Sequence, residues 1–381
     1  MKIIFTGGGT GGHFYPIIAI AQAVHKISKE NKLLEPDMYF FAPSPYNPGL
    51  LYDNDINYRK TTSGKIRRYF SFLNIIDFFK MGWGAVSTLF DVFDVYPDVV
   101  FGKGGYGSFP TLLAARILRI PVVIHESDSV PGRVNKWAGK FAARVALSWL
   151  EAAKYFPEAV KRGRVVHTGQ PIRDVILEPA TNGAHRFFEL EESVPTIVIR
   201  GGSSGAEMIN NVIMDALPQL VENYQVIHQT GQNNFKVVKE TADAILLNNR
   251  HRERYKPFAY FNQLEEQMSA GAATLVISRA GSTIFEIAAW GKPSIIIPIT
   301  DSNGDHQLNN ALSYAGSGAA SVIEEANLTS HVFFGEIKRI IDDQVLRSKM
   351  AEKAKAFFKP EADRAVAKEL LAIALSHEEL G

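Results

Sequence analysis

Cysteine is absent from the 381 residues of the chain. Its absence excludes disulfide bonds and thiolate chemistry, and it agrees with a reducing compartment. The N-terminus, Met1-Lys2 followed by a predicted strand, also lacks the cleavable apolar segment of a secretory signal. We therefore expect a cytosolic protein.

An excess of one charge sign is missing too, since 41 basic residues stand against 40 acidic ones for a formal net charge of +1 at pH 7. This balance gives no electrostatic basis for nucleic-acid binding, so we expect no nucleic-acid partner and any anion site must be local. Long uncharged apolar runs are also lacking. The most apolar stretch, Tyr69 to Tyr96, contains Asp77, Lys80 and Asp91, which disfavours a membrane-spanning helix.

Short β-type runs alternate with helical patterns along the chain, which predicts an α/β protein with parallel sheets built from βαβ units. The pattern starts twice, at Lys2 and at Pro195, each time as a strand, a glycine-rich turn and a helix. Two α/β units are therefore predicted, and ligands of such units bind beyond the carboxyl ends of the strands. The predicted strands are 2–6, 38–42, 97–101, 121–125, 144–148, 164–168, 195–200, 224–230, 273–278, 294–298 and 319–323.

The turn after the first predicted strand, Gly7 to His13, has glycine at five of its first six positions. Glycines let the backbone approach a ligand closely, and the helix start behind them favours an anion. A tight turn without a ligand is the alternative. An NAD site requires an acidic residue at the end of the second strand, and none is present there. A P-loop requires Gly-Lys-Ser/Thr after the turn, and this motif is also missing. Both common nucleotide sites are therefore disfavoured here.

Similar glycine turns follow two other predicted strands, at positions 102–108 and 201–206. They either line a long cleft for a substrate with several polar groups or are packing turns, and close backbone approach favours the cleft. His13 stands at the first helix start, where the dipole lowers its pKa and favours the neutral imidazole. It is the candidate general base, the alternative being a histidine that only binds a ligand or caps the helix.

Polar residues end the strand 121–125 and begin two later helices. His125, Glu126 and Asp128 are either structural or available to orient a sugar and assist a base. The turn from Ser278 to Glu286 suits a phosphate, with Glu286 placed to accept from ribose hydroxyls, or else it is only a helix cap. Asp305, His306 and Gln307 suit sugar hydroxyls. A metal site is poorly supported there, because these residues lack a recognisable ligand spacing, and we expect no metal and no cofactor. Asp53 and Asp55 match the D-x-D of metal-dependent glycosyltransferases but are predicted to lie in a solvated turn.

The segment from Lys65 to Trp83 has more apolar residues than one helix stripe needs, next to basic residues at its start. This combination is typical of an interfacial membrane contact. Burial against a neighbouring loop is the alternative.

Taken together, several motifs in order resemble the MurG family of N-acetylglucosaminyltransferases, which convert lipid I to lipid II in bacterial peptidoglycan synthesis. The resemblance covers nearly the whole chain and depends on the segments 8–13, 104–106, 125–128, 131–132, 135–136, 170–173, 201–203, 279–286, 304–307 and 310–311. It implies a GT-B fold of two Rossmann-like domains facing a cleft. The implied domains are residues 1–169 for the acceptor and the membrane, 170–358 for the UDP-sugar, and a helical segment 359–381 that packs back on the first domain.

The resemblance also implies a site. His13 is the implied base, with Glu126 as a second catalytic candidate, and Glu286 takes the ribose. Ser203 and the helix start take the pyrophosphate, Gln307 takes the sugar, and backbone near Tyr260 or Phe261 reads uracil. The implied substrate-binding residues are Thr10, Gly11, Gly12, Asp128, Arg173, Ser203, Phe261, Arg279, Gly281, Ser282, Thr283, Ile284, Phe285, Glu286 and Gln307.

The implied reaction is an inverting, metal-independent transfer from UDP-N-acetylglucosamine to the C4 hydroxyl of the muramyl sugar of lipid I, at the cytoplasmic face of the membrane. Asp128 and Gln170 stand where many relatives have Asn, and Leu308 stands where they have a second Gln, which removes one sugar contact. A UDP-N-acetylglucosamine 2-epimerase, another GT-B transferase with a lipid acceptor and an NAD-binding module are the alternatives. Release of N-acetylmannosamine without a lipid acceptor identifies the epimerase, and calorimetry with NAD tests the last.

Overall fold

The computed structural model describes residues 1–62, 73–201, 206–300 and 305–376, with positions 73–83 as backbone. The chain forms two compact units, one of Met1–Arg173 with Glu361–Gly381 and one of Asp174–Pro360. The second unit is thus inserted into the first along the chain. No helix within the described ranges is long and apolar enough to cross a membrane.

The first unit is a parallel sheet of seven described strands in the order β3-β2-β1-β4-β5-β6-β7. The strands are β1 Lys2–Thr6, β2 Asp37–Ala42, β3 Ile56–Lys60, β4 Val99–Gly102, β5 Val122–Glu126, β6 Arg144–Leu147 and β7 Val165–His167. The helices are α1 Gly11–Glu30, α2 Pro48–Tyr52, α3 Leu73–Val95, α4 Phe109–Ile117, α5 Arg133–Ala138, α6 Pro157–Lys161 and the late helix α16 Ala362–Leu375.

Both faces of this sheet are covered, which is why β1 is apolar at consecutive positions. Ile3 and Phe5 pack with α1 and α16, whereas Ile4 points to the other face. Helix α16 contributes Val366 and Leu370 to the core that it shares with α1. An Arg364 to Glu30 pair, 2.7 Å between Nη2 and Oε2, joins the ends of these two helices. The last helix of the chain therefore completes the core of the first unit.

The second unit is a parallel sheet of six described strands in the order β10-β9-β8-β11-β12-β13. The strands are β8 Thr196–Arg200, β9 Gln225–Gln229, β10 Tyr255–Phe258, β11 Leu275–Ser278, β12 Ser294–Ile296 and β13 Ala320–Val322. The helices are α7 Asp174–Leu177, α8 Ala184–Phe187, α9 Glu207–Asn223, α10 Phe235–Ile245, α11 Gln263–Ala272, α12 Thr283–Trp290, α13 His306–Gly316, α14 Ser330–Asp342 and α15 Gln344–Phe357.

Each sheet has one position where the strand order reverses, between β1 and β4 in the first unit and between β8 and β11 in the second. At such a switch point the loops leave in opposite directions and open a crevice beyond the carboxyl ends of the strands. The predicted α/β fold of two Rossmann-like parallel-sheet domains is confirmed. The two strands that the sequence pattern did not predict, β3 and β10, are both edge strands.

Candidate functional site

Two glycine turns flank the switch point of the first sheet, one after β1 and one after β4. Gly105 has φ of +79°, and a Cβ there would lie 2.8 Å from the Cα of Gly8. A Cβ on Gly8 would in turn lie 3.1 Å from Nδ1 of the His13 ring. The backbones of the two turns are therefore in direct contact at Gly8 and Gly105, and the His13 imidazole packs against both. A side chain at either glycine would push the turns apart.

His13 lies in the first turn of α1 and is half-buried. Its Nδ1 is 2.8 Å from the Oγ1 of Thr10. Burial, helped by the nearby charge of Lys103 and opposed by that of Asp128, lowers the pKa of His13 to about 4. The imidazole is therefore neutral at physiological pH, as a general base must be.

Lys103 follows β4 and is buried beside this histidine. Its ammonium group donates to the Oγ of Ser127, which donates to Oε1 of Gln170 at 2.7 Å. Burial lowers the pKa of Lys103 to about 8, against the opposing charges of Glu126 and Asp128. The sequence prediction missed this lysine, although a cation between two glycines directly after a strand was a readable signal.

Glu126 ends β5 and is buried, with both carboxylate oxygens occupied. Its Oε1 accepts from the amide of Asp128 at 3.0 Å, and its Oε2 accepts from the amide of Gly132 at 3.1 Å and from Nδ2 of Asn135 at 2.9 Å. Burial and the charge of Asp128 raise the pKa of Glu126 to about 7. These contacts hold the loop from 127 to 132 in place.

His125 precedes it and is fully buried. Its Nε2 lies 2.9 Å from the carbonyl oxygen of Gly169. Burial and the charge of Lys103 lower the pKa of His125 well below its usual value. This histidine is a neutral structural residue, one of the two alternatives that the sequence left open.

Arg173 packs against the same end of α1, with its guanidinium 4.4 Å from the centre of the Tyr15 ring. Tyr15 meets Tyr46 edge to face, and a Cβ on Gly11 would lie 2.8 Å from the Tyr46 hydroxyl. The structure therefore brings the predicted residues of the first unit to one region, the carboxyl edge of β1, β4 and β5. These residues are Thr10, Gly11, Gly12, His13, Glu126, Asp128 and Arg173.

In the second unit, the turn after β11 leads into α12. Arg279 forms an ion pair of 2.5 Å with Glu325 and donates to the carbonyl of Ile297 at 3.2 Å. Although burial opposes it, hydrogen bonds from Thr300 and Arg279 lower the pKa of Glu325. Arg279 thus already has a carboxylate partner within its own unit.

The other predicted donor residues lie around α12 and α13. Ser282 and Thr283 are half-buried at the start of α12, whereas Ile284 and Phe285 are buried and hold that helix to the core. The Oε1 of Gln307 accepts from the amide of Ile299 at 3.2 Å. Phe261 is buried against Phe258, Gly281 follows Ala280 in the turn, and Ser203 lies outside the described residues.

Arg200 ends β8 directly before the glycine-rich segment 201–206. It was not predicted as a site residue from the sequence. Its Nη1 donates to Oε2 of Glu286 at 2.5 Å, and its Nη2 donates to Glu266. The guanidinium lies 5.2 Å from the centre of the Trp290 ring. Although burial opposes it, the charges of Glu286 and Glu266 raise the pKa of Arg200. Glu286 is thus held by a cation on the adjacent strand.

Metal ligation finds no support in the described ranges, where no group of three or more His, Asp or Glu residues is arranged to hold an ion. Asp53 and Asp55 are exposed. Of the predicted membrane segment Lys65 to Trp83, positions up to 72 lie outside the described residues, and the rest begin α3. Farther along this helix, Val86, Phe90 and Phe93 expose half or more of their surface.

Comparison with known proteins gives consistent matches. Residues 3–147 match the glycosyltransferase family 28 N-terminal domain, and residues 196–366 match the family's C-terminal domain. The UDP-N-acetylglucosamine--N-acetylmuramyl-(pentapeptide) pyrophosphoryl-undecaprenol N-acetylglucosamine transferase of Legionella pneumophila is 36% identical over 343 residues, 89% of this chain and 89% of that protein.

Two solved structures are also similar. The crystal structure of Acinetobacter baumannii MurG matches with a TM-score of 0.71 and 26% identity over 97% of this chain and 99% of that chain. A UDP-GlcNAc 2-epimerase from Neisseria meningitidis, bound to UDP-GlcNAc, matches with a TM-score of 0.69 and 14% identity over 97% and 100% of the two chains. The second likeness, at so low an identity, shows the fold alone.

Proposed function

The chain belongs to glycosyltransferase family 28, and we propose that it transfers N-acetylglucosamine from UDP-N-acetylglucosamine to lipid I, which forms lipid II. The family predicted from the sequence motifs is confirmed by the matches to both family domains and to a relative 36% identical over most of the chain. The enzyme is therefore a UDP-N-acetylglucosamine-dependent glycosyltransferase of peptidoglycan precursor synthesis.

His13 is the proposed general base, and the observation that carries the proposal is its neutral imidazole between the two glycine turns. The reactive tautomer donates Nδ1–H to Thr10 and leaves the Nε2 lone pair free. Nε2 takes the proton of the acceptor C4 hydroxyl while that oxygen bonds to the anomeric carbon. The bond from this carbon to the diphosphate breaks, its electron pair leaves with UDP, and the configuration inverts. The negative charge of Asp128 favours the imidazolium that forms.

Glu126 is better suited to a positioning role than to proton transfer, since both of its oxygens accept hydrogen bonds from its own loop. For the donor, Glu286 is proposed to accept from the ribose, backbone at Phe261 to read uracil, and Gln307 to bind the sugar. Thr10, Gly11, Gly12, Asp128, Arg173, Ser203, Arg279 and the 281–286 turn are further proposed donor contacts.

The departing UDP is proposed to be stabilised by backbone N–H groups at helix starts in place of a metal ion. Turnover in the presence of excess chelator tests this part. Unchanged turnover is the expected result, and a loss that added Mg²⁺ restores would contradict it.

The base assignment is tested with His13→Ala and a lipid I analogue as acceptor. The expected result is a fall of kcat by about 10²- to 10⁴-fold, with UDP affinity by calorimetry unchanged. His25→Ala is the matched control, because His25 lies on the same helix and its Nε2 lies 3.2 Å from the carbonyl oxygen of Asn54. Turnover of the His13 variant within a few-fold of wild type would rule out the assignment.

An epimerase shares the fold, and its activity is tested in the same samples by looking for N-acetylmannosamine released without acceptor. We expect none, because the relative that is 36% identical is named a transferase. Calorimetry with NAD is the corresponding test of a dinucleotide-binding module, and no binding is expected.

Peripheral contact with the cytoplasmic face of the membrane is proposed through Lys65 to Trp83. Support comes from the basic and apolar pattern of this segment and from the undecaprenol-linked acceptor in the relative's name. A triple variant with Phe70→Ser, Phe78→Ser and Trp83→Ser is expected to sediment less with anionic vesicles than the wild type. Tyr52→Ser is the control, because the Tyr52 side chain lies outside this segment and is 84% exposed. Equal sedimentation of the wild type, the triple variant and the control would contradict the proposal.

A further inference from the structure

Arg200 occupies the switch point of the second sheet, at the carboxyl end of its central strand β8. It pairs in register with Ser278 of β11 and with Gln229 of β9. Its side chain is only 10% exposed. A cation is costly in such a position unless other groups compensate its charge.

The compensating groups come from two helices. Glu266 belongs to α11, and Glu286 belongs to the first turn of α12. Trp290 follows Glu286 by four residues, so both lie on one face of α12, and the guanidinium contacts the carboxylate and the indole ring together. Arg200 therefore joins β8, α11 and the start of α12.

The arrangement also decides how the carboxylate of Glu286 is presented. A carboxylate has two oxygens with about four acceptor positions. Arg200 donates to Oε2 of Glu286, which fixes the rotation of the carboxylate. Oε1 is the other oxygen of this side chain, which is 23% exposed. Without the guanidinium, Glu286 and Glu266 would repel one another, and the Glu286 carboxylate would lose this orientation.

We infer that Arg200 is a positioning residue for the donor nucleotide, which orients Glu286 to accept from the ribose hydroxyls and so selects a ribonucleotide. The inference depends on the proposed function, in which Glu286 contacts the ribose. It concerns selectivity for the 2′-hydroxyl, which a residue that only stabilises the unit would not influence.

Calorimetry with UDP and 2′-deoxy-UDP tests the inference on the full chain. We expect the wild type to bind UDP about tenfold or more tightly than 2′-deoxy-UDP, since a hydrogen bond to a charged group is of that strength. In Arg200→Met we expect UDP affinity to fall about tenfold and 2′-deoxy-UDP affinity to fall far less, so that the ratio approaches one. With the sugar donor, the loss should appear mainly in KM.

Arg254→Met is the matched control. Arg254 is similarly buried, at 13% exposure, and pairs with Glu191 at 2.9 Å, but it precedes β10 at the amino end of the sheet. Its variant is expected to keep the UDP to 2′-deoxy-UDP ratio. Arg200→Lys, which keeps the charge but cannot hold two carboxylates with a planar group, serves where the methionine variant does not fold, and we expect a reduced ratio.

A folded Arg200 variant with the wild-type ratio would overturn the inference alone, provided the wild type binds UDP and transfers the sugar. A wild type that transfers the sugar without discriminating against 2′-deoxy-UDP would overturn the inference and the proposed contact of Glu286 with the 2′-hydroxyl, but not the proposed transfer reaction. Failure of the wild type to bind UDP would overturn both the inference and the proposed function.

Discussion

Two carboxyl-edge side chains of the first unit, His13 and Glu126, have pKa values that move in opposite directions. Burial lowers the pKa of His13 to about 4 and raises the pKa of Glu126 to about 7. A base is active only when deprotonated, so activity is lost as the pH falls through its pKa. With His13 as the base, kcat/KM should persist from pH 7 to about pH 5 and fall near 4. An acidic limb near 7 would instead identify Glu126.

Lys103 contributes to the low pKa of His13, and its replacement gives a second prediction. In Lys103→Met the cation is gone while the opposing charge of Asp128 remains, so the pKa of His13 rises toward its usual value. The acidic limb of kcat/KM should move toward neutral pH, and the imidazole NMR titration should move with it. Lys161→Met, at an exposed lysine on α6, should leave both unchanged. An unmoved titration in the Lys103 variant would contradict this account.

How far the site could be read from the sequence depends on how local its contacts are. His13 was found because it follows its glycine turn directly. Arg200 was not, since its partners Glu266 and Glu286 are 66 and 86 residues away. Lys103 likewise contacts a serine 24 residues further on. Such pairings depend on the strand order, which the sequence pattern does not reveal.

At the scale of elements, central strands were predicted to within about two residues, whereas β3 and β10 were missed. Central strands of a parallel sheet are buried on both faces and show as continuous apolar runs. Strand β3 reads Ile-Asn-Tyr-Arg-Lys with three exposed residues, and β10 contains Pro257. An edge strand tolerates both features, because one side of it makes no ladder. The apolar signal is therefore weak in these two edge strands, whereas the edge strands β7 and β13 were predicted.

Helix α16 provides a stability prediction at the same scale. Leu370 is fully buried in the core shared with α1. Leu370→Ala should lower the free energy of unfolding of the first unit by about 2–5 kcal/mol, because it leaves a cavity in a packed core. Denaturant unfolding followed by circular dichroism measures the change. Lys368→Ala, at an exposed position of the same helix, is expected to cost little, and an equal loss in both variants would contradict the role of the packing.

Of the two units of the chain, the second contains both Glu286 and Phe261, the proposed contacts of the nucleotide. A ligand stabilises the folded unit that it binds, by about 2.7 kcal/mol when its concentration is one hundred times its Kd. UDP should therefore slow hydrogen exchange in β8 and β11 more than in β2 and β3. ADP at the same concentration is the control. Protection by UDP confined to the first unit would contradict the assignment.

The insertion of the second unit into the first sets the order in which the two units can fold during translation. Helix α1 is translated early, but its partner α16 leaves the ribosome only after the whole of Asp174–Pro360 has been made. The 345 residues from the end of α1 at Glu30 to the end of α16 at Leu375 take roughly 17 to 70 seconds at about 5–20 residues per second, and the apolar side of α1 lacks its α16 partner for that time. The inserted unit can fold on the nascent chain during that interval, whereas the first unit closes only after translation has passed α16.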